Sequence, residues 1–483
     1  MKLHSSAIEQ AQKWFDAHRE EFIRELQEWV RIPSVSRREE AAPGMPFGPD
    51  CKRMLDLIVE RGRHYGFSAE NLLDCAASVQ SADGAVGIIA HADVVPAGEG
   101  WVYPPFECTW LEEYDVLIGR GVDDNKGAAV TGLFLMRYLQ EAYPSLGIRL
   151  ICGTDEEAGM RDMQLLKENG YAFPALSLVP DAGFPVNYGQ KGSLNALLHF
   201  PCSGNLLSFD AGSVPNVIPD KAECTLSTPY KIAQAAFDNV PEPLRASITL
   251  SPCPRGTHII ACGTAGHAAF PAGADNAICH LSAFLSASGL LQGSCAPALQ
   301  QVSELTKDPY GQSENIAFRD DISGELTLVY GVAHLKEGTL TLSADCRFPI
   351  TCRGDALEEK LHLHWQERGA ALSETERSDP FYLPANSREV NTLQEIYRFC
   401  TGRSDAPYTM GGGTYSRAVP NAVSFGPGMP GQADDFSAFL PEGHGKAHGR
   451  DEAAFLSKWR DLFVIYALSL PALNELIKKR ETP

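Results

Sequence analysis

The chain has 483 residues, more than one hydrophobic core usually serves, so two or more domains are expected. Its residues are 44% hydrophobic and 21% charged, an ordinary globular balance that excludes a mainly disordered chain. The 41 Lys and Arg against 61 Asp and Glu leave a net charge of −20, which speaks against a general nucleic-acid binder, because phosphate binding needs a cationic surface.

In chain order, residues 6–31 read as one amphipathic helix, with Ile8, Phe15, Phe22, Leu26, Trp29 and Val30 at roughly helical spacing. Pro33 ends it, and residues 51–65 read as a second helix. The start Met1-Lys2-Leu3 leads into a polar pattern with no apolar signal core, and no apolar run approaches the ~18–20 residues of a membrane span. The 13 cysteines are odd in number and form no C-x-x-C pair, so they are read as reduced, mostly buried thiols. A cytoplasmic protein with no membrane partner is the expectation.

A repeated pattern of strand, loop and helix follows. The apolar run 85–90 stops at His91, and residues 125–141 read as a helix. The strand 148–152 stops at Asp155-Glu156-Glu157, residues 163–169 are helical, and the strand 176–179 stops at Pro180-Asp181. Strands alternating with helices imply an α/β sheet covered on both faces, where ligands bind beyond the carboxyl ends of the strands. Each of these three strand ends carries an acid or a histidine.

Past Lys191 the texture changes. Residues 194–200, 222–227, 246–250, 258–262, 326–329 and 339–348 read as antiparallel strands, and 280–291 as a helix. Helices and apolar strands resume later and end in a helix over 451–470. The expected fold class is α/β with two domains: a mixed α/β/α sandwich over 1–190 and 386–483, and an inserted α+β domain over 191–385.

Five segments carry candidate chemistry. In His91-Ala92-Asp93-Val94-Val95-Pro96, a strand-end imidazole can meet a metal while Asp93 fixes its tautomer. Gly119-Arg120-Gly121-Val122-Asp123-Asp124-Asn125-Lys126-Gly127 sets acids at a helix start. In Thr154-Asp155-Glu156-Glu157, one glutamate can bind a metal while the other faces a water. Pro180-Asp181 and His448-Gly449-Arg450-Asp451-Glu452 complete the set. Alone, each is explained as well or better by ordinary structure: a solvated strand end, a helix cap, an acidic loop, a turn, or acids on a helix dipole. Together they supply imidazoles and carboxylates mostly at one sheet edge. That donor set suits two borderline divalent ions such as zinc or manganese, whereas calcium favours oxygen ligands alone.

The ordered set His-x-Asp-Val-Val-Pro, Gly-Arg-Gly-x-x-Asp-x-Lys-Gly, Asp-Glu-Glu-x-Gly, Pro-Asp and a late His resembles the di-zinc metallopeptidase superfamily of carboxypeptidase G, aminoacylase and succinyl-diaminopimelate desuccinylase. Within it the resemblance is to the dipeptidase V branch, and it runs from Ile32-Pro33-Ser34-Val35-Ser36 to the last helix. It implies two divalent cations, zinc first, with manganese or cobalt as substitutes. His91 and Asp181 would hold one, Glu157 and His448 the other, and Asp124 both. Asp93 would orient His91, and Glu156 would be the general base. His444 is a rival for His448, which is preferred because it directly precedes Arg450-Asp451-Glu452 with only Gly449 between. A cis peptide after Asp124 is also implied. Where the family commonly has Asp-Asp-Lys-Gly, this chain has Asp124-Asn125-Lys126-Gly127.

Further segments resemble substrate-binding parts of dipeptidase V. Gly266-His267-Ala268-Ala269-Phe270-Pro271 would place His267 on the oxyanion, and Val214-Pro215-Asn216 would place Asn216 on substrate. Gly411-Gly412-Gly413-Thr414 would bind the substrate carboxylate through Gly413 and Thr414, with Arg347 as a second clamp. Ordinary turns, a loop histidine and a surface ion pair explain these residues about as well. The implied activity is hydrolysis of small unblocked dipeptides. N-acyl amino acid deacylation or carboxypeptidase action are alternatives within the superfamily, and a catalytically silent metal- or peptide-binding protein is the alternative outside catalysis. The long insertion resembles the enlarged lid that substitutes for a partner's lid, so a monomer is expected.

Overall fold

The computed structural model describes residues 4–82 and 84–481, the side chains of 480 and 481 excepted. Met1-Lys2-Leu3, read above as the start of a polar segment, lies outside them. The chain divides into two units. The first comprises Met1–Tyr188, Leu383–Tyr408 and Thr414–Pro483, and the second Gly189–Tyr382 and Thr409–Gly413. The sequence-based limits kept all of 386–483 in the first domain. Residues 409–413 instead join the second, because Lys191 N–H donates to the Met410 carbonyl at 3.0 Å and Thr409 Oγ1 to the Ile322 carbonyl at 3.1 Å.

The first unit is built on a sheet whose central strands run parallel in the order Ile148–Gly153, Val86–His91, Leu176–Val179 and Ala422–Phe425. Ala76–Gln80 and Ser68–Leu72 extend one side antiparallel, and Val186–Gln190 the other. Every residue of Val86–His91, Leu176–Val179 and Ala422–Phe425 is buried, as parallel strands covered on both faces must be. Ile89, Ile151 and Val179 pack on one face with Met163, Leu166 and Tyr415. On the opposite face Leu150 and Ile88 come close to Gly132 of the helix Lys126–Ala142. That helix packs against Leu456–Glu481, which is why it is apolar over most of its circumference. His91 pairs in register with Gly153, so the chain leaves these strands at one edge, carrying Asp93, Glu156–Glu157 and Asp181.

Two expected helices differ. Residues 6–31 form two helices, Ser5–Ala17 and Arg19–Val30, broken at His18, whose backbone leaves the helical region at φ −108°, ψ 10°. Its ring stacks on Trp14 at 3.9 Å, and its Nδ1 lies 2.8 Å from the Trp14 carbonyl. The last helix starts at Leu456 rather than 451, because Ala453–Phe455 is a strand paired with Val116–Ile118.

The second unit holds an antiparallel sheet in the order Ile248–Cys253, Gly256–Cys262, Lys221–Leu226, Leu206–Ala211, Ala333–Lys336, Thr339–Phe348, Gly192–Pro201 and Ala371–Ser378. Gly192–Pro201 and Lys221–Leu226 alternate buried and half-exposed residues, the pattern of a sheet with one covered face. Leu281, Phe284, Leu299 and Trp365, from the helices Ala277–Ser288, Cys295–Thr306 and Gly354–Glu367, fill the core over it. Only the first of these three helices was expected. The fold class is α/β with two domains, the second inserted into the first. All 13 cysteines are free thiols, eight of them buried. Among the described residues no helix is long and apolar enough to cross a membrane.

Candidate metal centre

At the carboxyl edge of the first unit's sheet, His91 closes its strand with a 1% exposed ring. Its Nδ1 lies 3.1 Å from the Asp93 carbonyl and 3.5 Å from Asp93 Oδ1. A proton on Nδ1 leaves the Nε2 lone pair facing Asp124 Oδ1 at 3.0 Å and Asp181 Oδ1 at 3.8 Å. From a loop 357 positions later, His448 brings its Nε2 to 3.1 Å from Asp124 Oδ2 and 2.9 Å from Glu157 Oε1. Each Asp124 oxygen therefore faces a different imidazole. Asp124 itself precedes the helix Lys126–Ala142, and the Asp124–Asn125 peptide is cis.

Two donor groups result, His91–Asp124–Asp181 and Asp124–Glu157–His448, each with ligand atoms within 4.8 Å of one another. Burial pushes the Asp181 and Glu156 carboxyls well above the usual range, with the neighbouring carboxylates adding to it, and it raises Glu157. Asp124 is held low despite its burial, because His448 and His91 hydrogen-bond to it. His448 is pushed up to about 10 by Asp124 and Glu157. Burial opposes protonation of His91, but hydrogen bonds with Asp124 and Asp93 win and raise it well above its ordinary value. Acids and imidazoles packed this closely must share protons unless cations take their place. Divalent cations would replace those protons and meet the inward lone pairs, so the donor set fits them. The paired imidazoles fit zinc, manganese or cobalt better than calcium.

Surrounding groups hold this edge in place. Asp93 Oδ2 accepts the Glu157 N–H at 3.0 Å, while its Oδ1 faces His91 Nδ1. Asp162 Oδ2 accepts the N–H groups of Thr154 and Asp155 at 2.8 and 3.0 Å, fixing the turn that presents both glutamates. Asn125, the departure from the resembled motif, donates to the Pro180 carbonyl at 2.7 Å and to Asp181 Oδ1 at 3.3 Å. Among the described residues none hydrogen-bonds the half-buried Glu156 carboxylate. His444 stands outside both donor groups, with Nδ1 2.5 Å from Asp451 Oδ2. Asp451 and Glu452, expected as helix-start acids, are fully buried. Asp451 accepts from the Val102 and Tyr103 N–H groups, and Glu452 pairs with Arg120.

The remaining sequence candidates are placed differently. His267 sits in the second unit, exposed, on the short strand Gly266–His267 paired with Val217–Ile218. Its Nδ1 accepts the Ala269 N–H at 3.1 Å, which leaves the ring proton on Nε2. Asn216 joins it by accepting the Ala268 N–H at 2.9 Å. Arg347 is gripped by Asp345 through Nε at 2.6 Å and Nη2 at 2.7 Å. Gly413 closes the 409–413 segment of the second unit. Thr414, in the first, caps Tyr415–Ala418 by accepting the Ser416 N–H, with its Oγ1 2.8 Å from Ser424 Oγ. The supporting roles of Asn125, Asp162 and Glu452 were missed. For Asn125 the signal was present in its place beside Asp124; for the others no local signal existed.

Residues 87–453 match the profile described as peptidase family M20/M25/M40. The Bacillus subtilis (strain 168) protein named "Putative dipeptidase YtjP" is 30% identical over 475 residues, covering 95% of this chain and 98% of that protein. A "Putative dipeptidase" of Staphylococcus epidermidis is 29% identical over 432 residues, covering 84% and 89%. Among solved structures, human carnosine dipeptidase 1 superposes with a TM-score of 0.59 at 14% identity, covering 96% of this chain and 98% of that one. The di-peptidase Dug1p of Saccharomyces cerevisiae gives 0.57 at 13%, again covering 96% and 98%. At such identity these two speak for the fold, while the profile match spans more than half of the sequence: this chain belongs to peptidase family M20/M25/M40 and is a peptidase.

Proposed function

We propose that this peptidase is a metal-dependent dipeptidase acting on small unblocked dipeptides. The observation that carries the reading is the Asp124 carboxylate set between two imidazoles, one oxygen toward each, with Asp181 and Glu157 completing the two donor groups. The substrate class rests on the names of the relatives that match nearly the whole chain. His91, Asp124 and Asp181 would hold one divalent cation, zinc first, and Asp124, Glu157 and His448 the other. Bound there, the cations would acidify a water and offset oxyanion charge.

Glu156 is the free carboxylate of the edge. Among the described residues no hydrogen bond ties up its carboxylate, which suits a group that takes a proton from water and returns it to the leaving amine. Asp93 keeps His91 in the tautomer that presents Nε2. His267, with its proton on Nε2, is the proposed donor to the developing oxyanion, and Asn216, Arg347, Gly413 and Thr414 are the proposed substrate contacts. We place the protein in the cytoplasm, a reducing setting that keeps its buried thiols reduced, and as a monomer, which sedimentation would test.

The test is apoprotein reconstituted with zinc, manganese or cobalt and offered dipeptides, tripeptides and N-acyl amino acids. Dipeptides should be cleaved best, and preference for N-acyl substrates would overturn the substrate class. Glu156→Gln should lower kcat by about 10²–10⁴-fold while both cations remain bound. Near-normal turnover would remove the mechanism.

A further inference from the structure

Arg120 and Glu452, 332 positions apart, form an ion pair sealed from solvent, with Nη1 2.6 Å from Oε2 and exposures of 1% and 0%. Neither belongs to the two donor groups, yet each is bonded to the backbone of a residue that does. Glu452 Oε1 accepts the N–H of Asp123 and of Asp124, both at 2.9 Å. Arg120 Nη2 donates to the Gly449 carbonyl at 3.0 Å, to that of His448 at 3.3 Å and to that of Pro96 at 3.4 Å. Its guanidinium also lies 5.2 Å from the Trp101 ring, and the Glu452 carbonyl accepts the Gly119 N–H at 2.9 Å.

A buried ion pair is a weak device for stability, since desolvation offsets much of its attraction. This one does something more specific: it ties the segment of Asp124 to the segment of His448. The two donor groups differ in how much they need that tie. His91 lies within a sheet strand with Asp93 behind it, and Asp181 is held by Asn125. His448 stands on an irregular loop with φ +62° and a side chain 53% exposed. That backbone region is one few residues with a β-carbon adopt.

We infer that the Arg120–Glu452 pair is a positioning device that sets the distance between Asp124 and His448, and so governs cation binding at Asp124–Glu157–His448 selectively. This inference rests on the two-cation reading. The test titrates cobalt(II) into apoprotein and follows the visible spectrum, with a competing chelator to fix the affinities. Three proteins are compared: wild type, the neutral double variant Arg120→Met/Glu452→Gln, which leaves no buried charge unpaired, and His448→Ala as the reference for loss of one position.

Wild type should bind two equivalents. The double variant should bind the first only slightly more weakly, since Asp124 serves both positions, with the spectrum of one-equivalent His448→Ala, and the second about 10–100-fold more weakly. Equal weakening of both positions, as general softening would give, overturns the inference, and so do two unchanged affinities. Should the double variant fail to fold, Arg120→Lys keeps the charge but cannot span Glu452 and the three carbonyls together, and the same split is expected. Fewer than two equivalents in wild type would refute the two-cation reading itself, and this inference with it.

Discussion

Replacing Tyr415 by Phe removes one oxygen and tests how the Glu156–Glu157 turn is held. Tyr415 is fully buried against Ile89, Ile151, Met163 and Val179, so the Phe ring keeps that packing. What is lost is the hydrogen bond from Oη to Asp162 Oδ2 at 2.5 Å. Burial pushes the Asp162 carboxyl up to about 7, so above that pH the acceptor is charged, and hydrogen bonds to charged groups contribute about 1.5–3 kcal/mol. Asp162 keeps the N–H groups of Thr154, Asp155 and Met163, so it is not left bare, and about 2 kcal/mol is expected. With a urea m-value of about 3 kcal/mol/M, the midpoint of the first unit's transition should fall by roughly 0.7 M at unchanged m. Because the two N–H bonds that fix the turn survive, cation binding should stay within about threefold of wild type. A midpoint shift under about 0.2 M would refute the claim that this hydroxyl supports the turn, and a changed m would mean that the unfolded or native state itself had been altered.

Gly127→Ala should cost about 1–3 kcal/mol or more, because a β-carbon there would stand 2.4 Å from Trp459 Cζ2 and from the Val122 carbonyl oxygen; a melting temperature equal to wild type would contradict this packing. Glu314 is 1% exposed in the second unit's core, accepts the Tyr330 hydroxyl at 3.3 Å and has an Oε2 with no hydrogen-bond partner among the described residues. Burial pushes its carboxyl up to about 7 from the ordinary 4.5. The folded state is therefore favoured most below pH 4.5, and that advantage is lost as the pH rises through 7, about 3 kcal/mol in all. Urea midpoints at several pH values should show the loss in wild type and its removal in Glu314→Gln, whereas an equal slope in both would assign it to other groups.

The central strands were legible because short apolar runs ended abruptly in His91, Asp155 and Pro180-Asp181, and the observed strand Leu176–Val179 has the expected limits. The break at His18 was not, since it depends on a ring stacking on Trp14 rather than on a proline or glycine. The final helix was placed too early because acids before an apolar stretch are read as a helix start. Pairing of Ala453 with Ile118, 335 positions away, decides otherwise. The same limit applies at the site. Motifs pointed to residues that meet at one sheet edge, but the bonds from Asp162 to Tyr415 and from Arg120 to Glu452 join distant segments through space and leave no local pattern. The helices Cys295–Thr306 and Gly354–Glu367 were missed although Leu299 and Trp365 are central to the second core.

The most direct measurement of the central claim is anomalous diffraction at the zinc edge from crystals of the zinc-loaded protein. Two peaks about 3.5–4 Å apart are expected, one beside His91 and Asp181, the other beside Glu157 and His448, with Asp124 between them. A single peak, or peaks away from Asp124, would contradict the account.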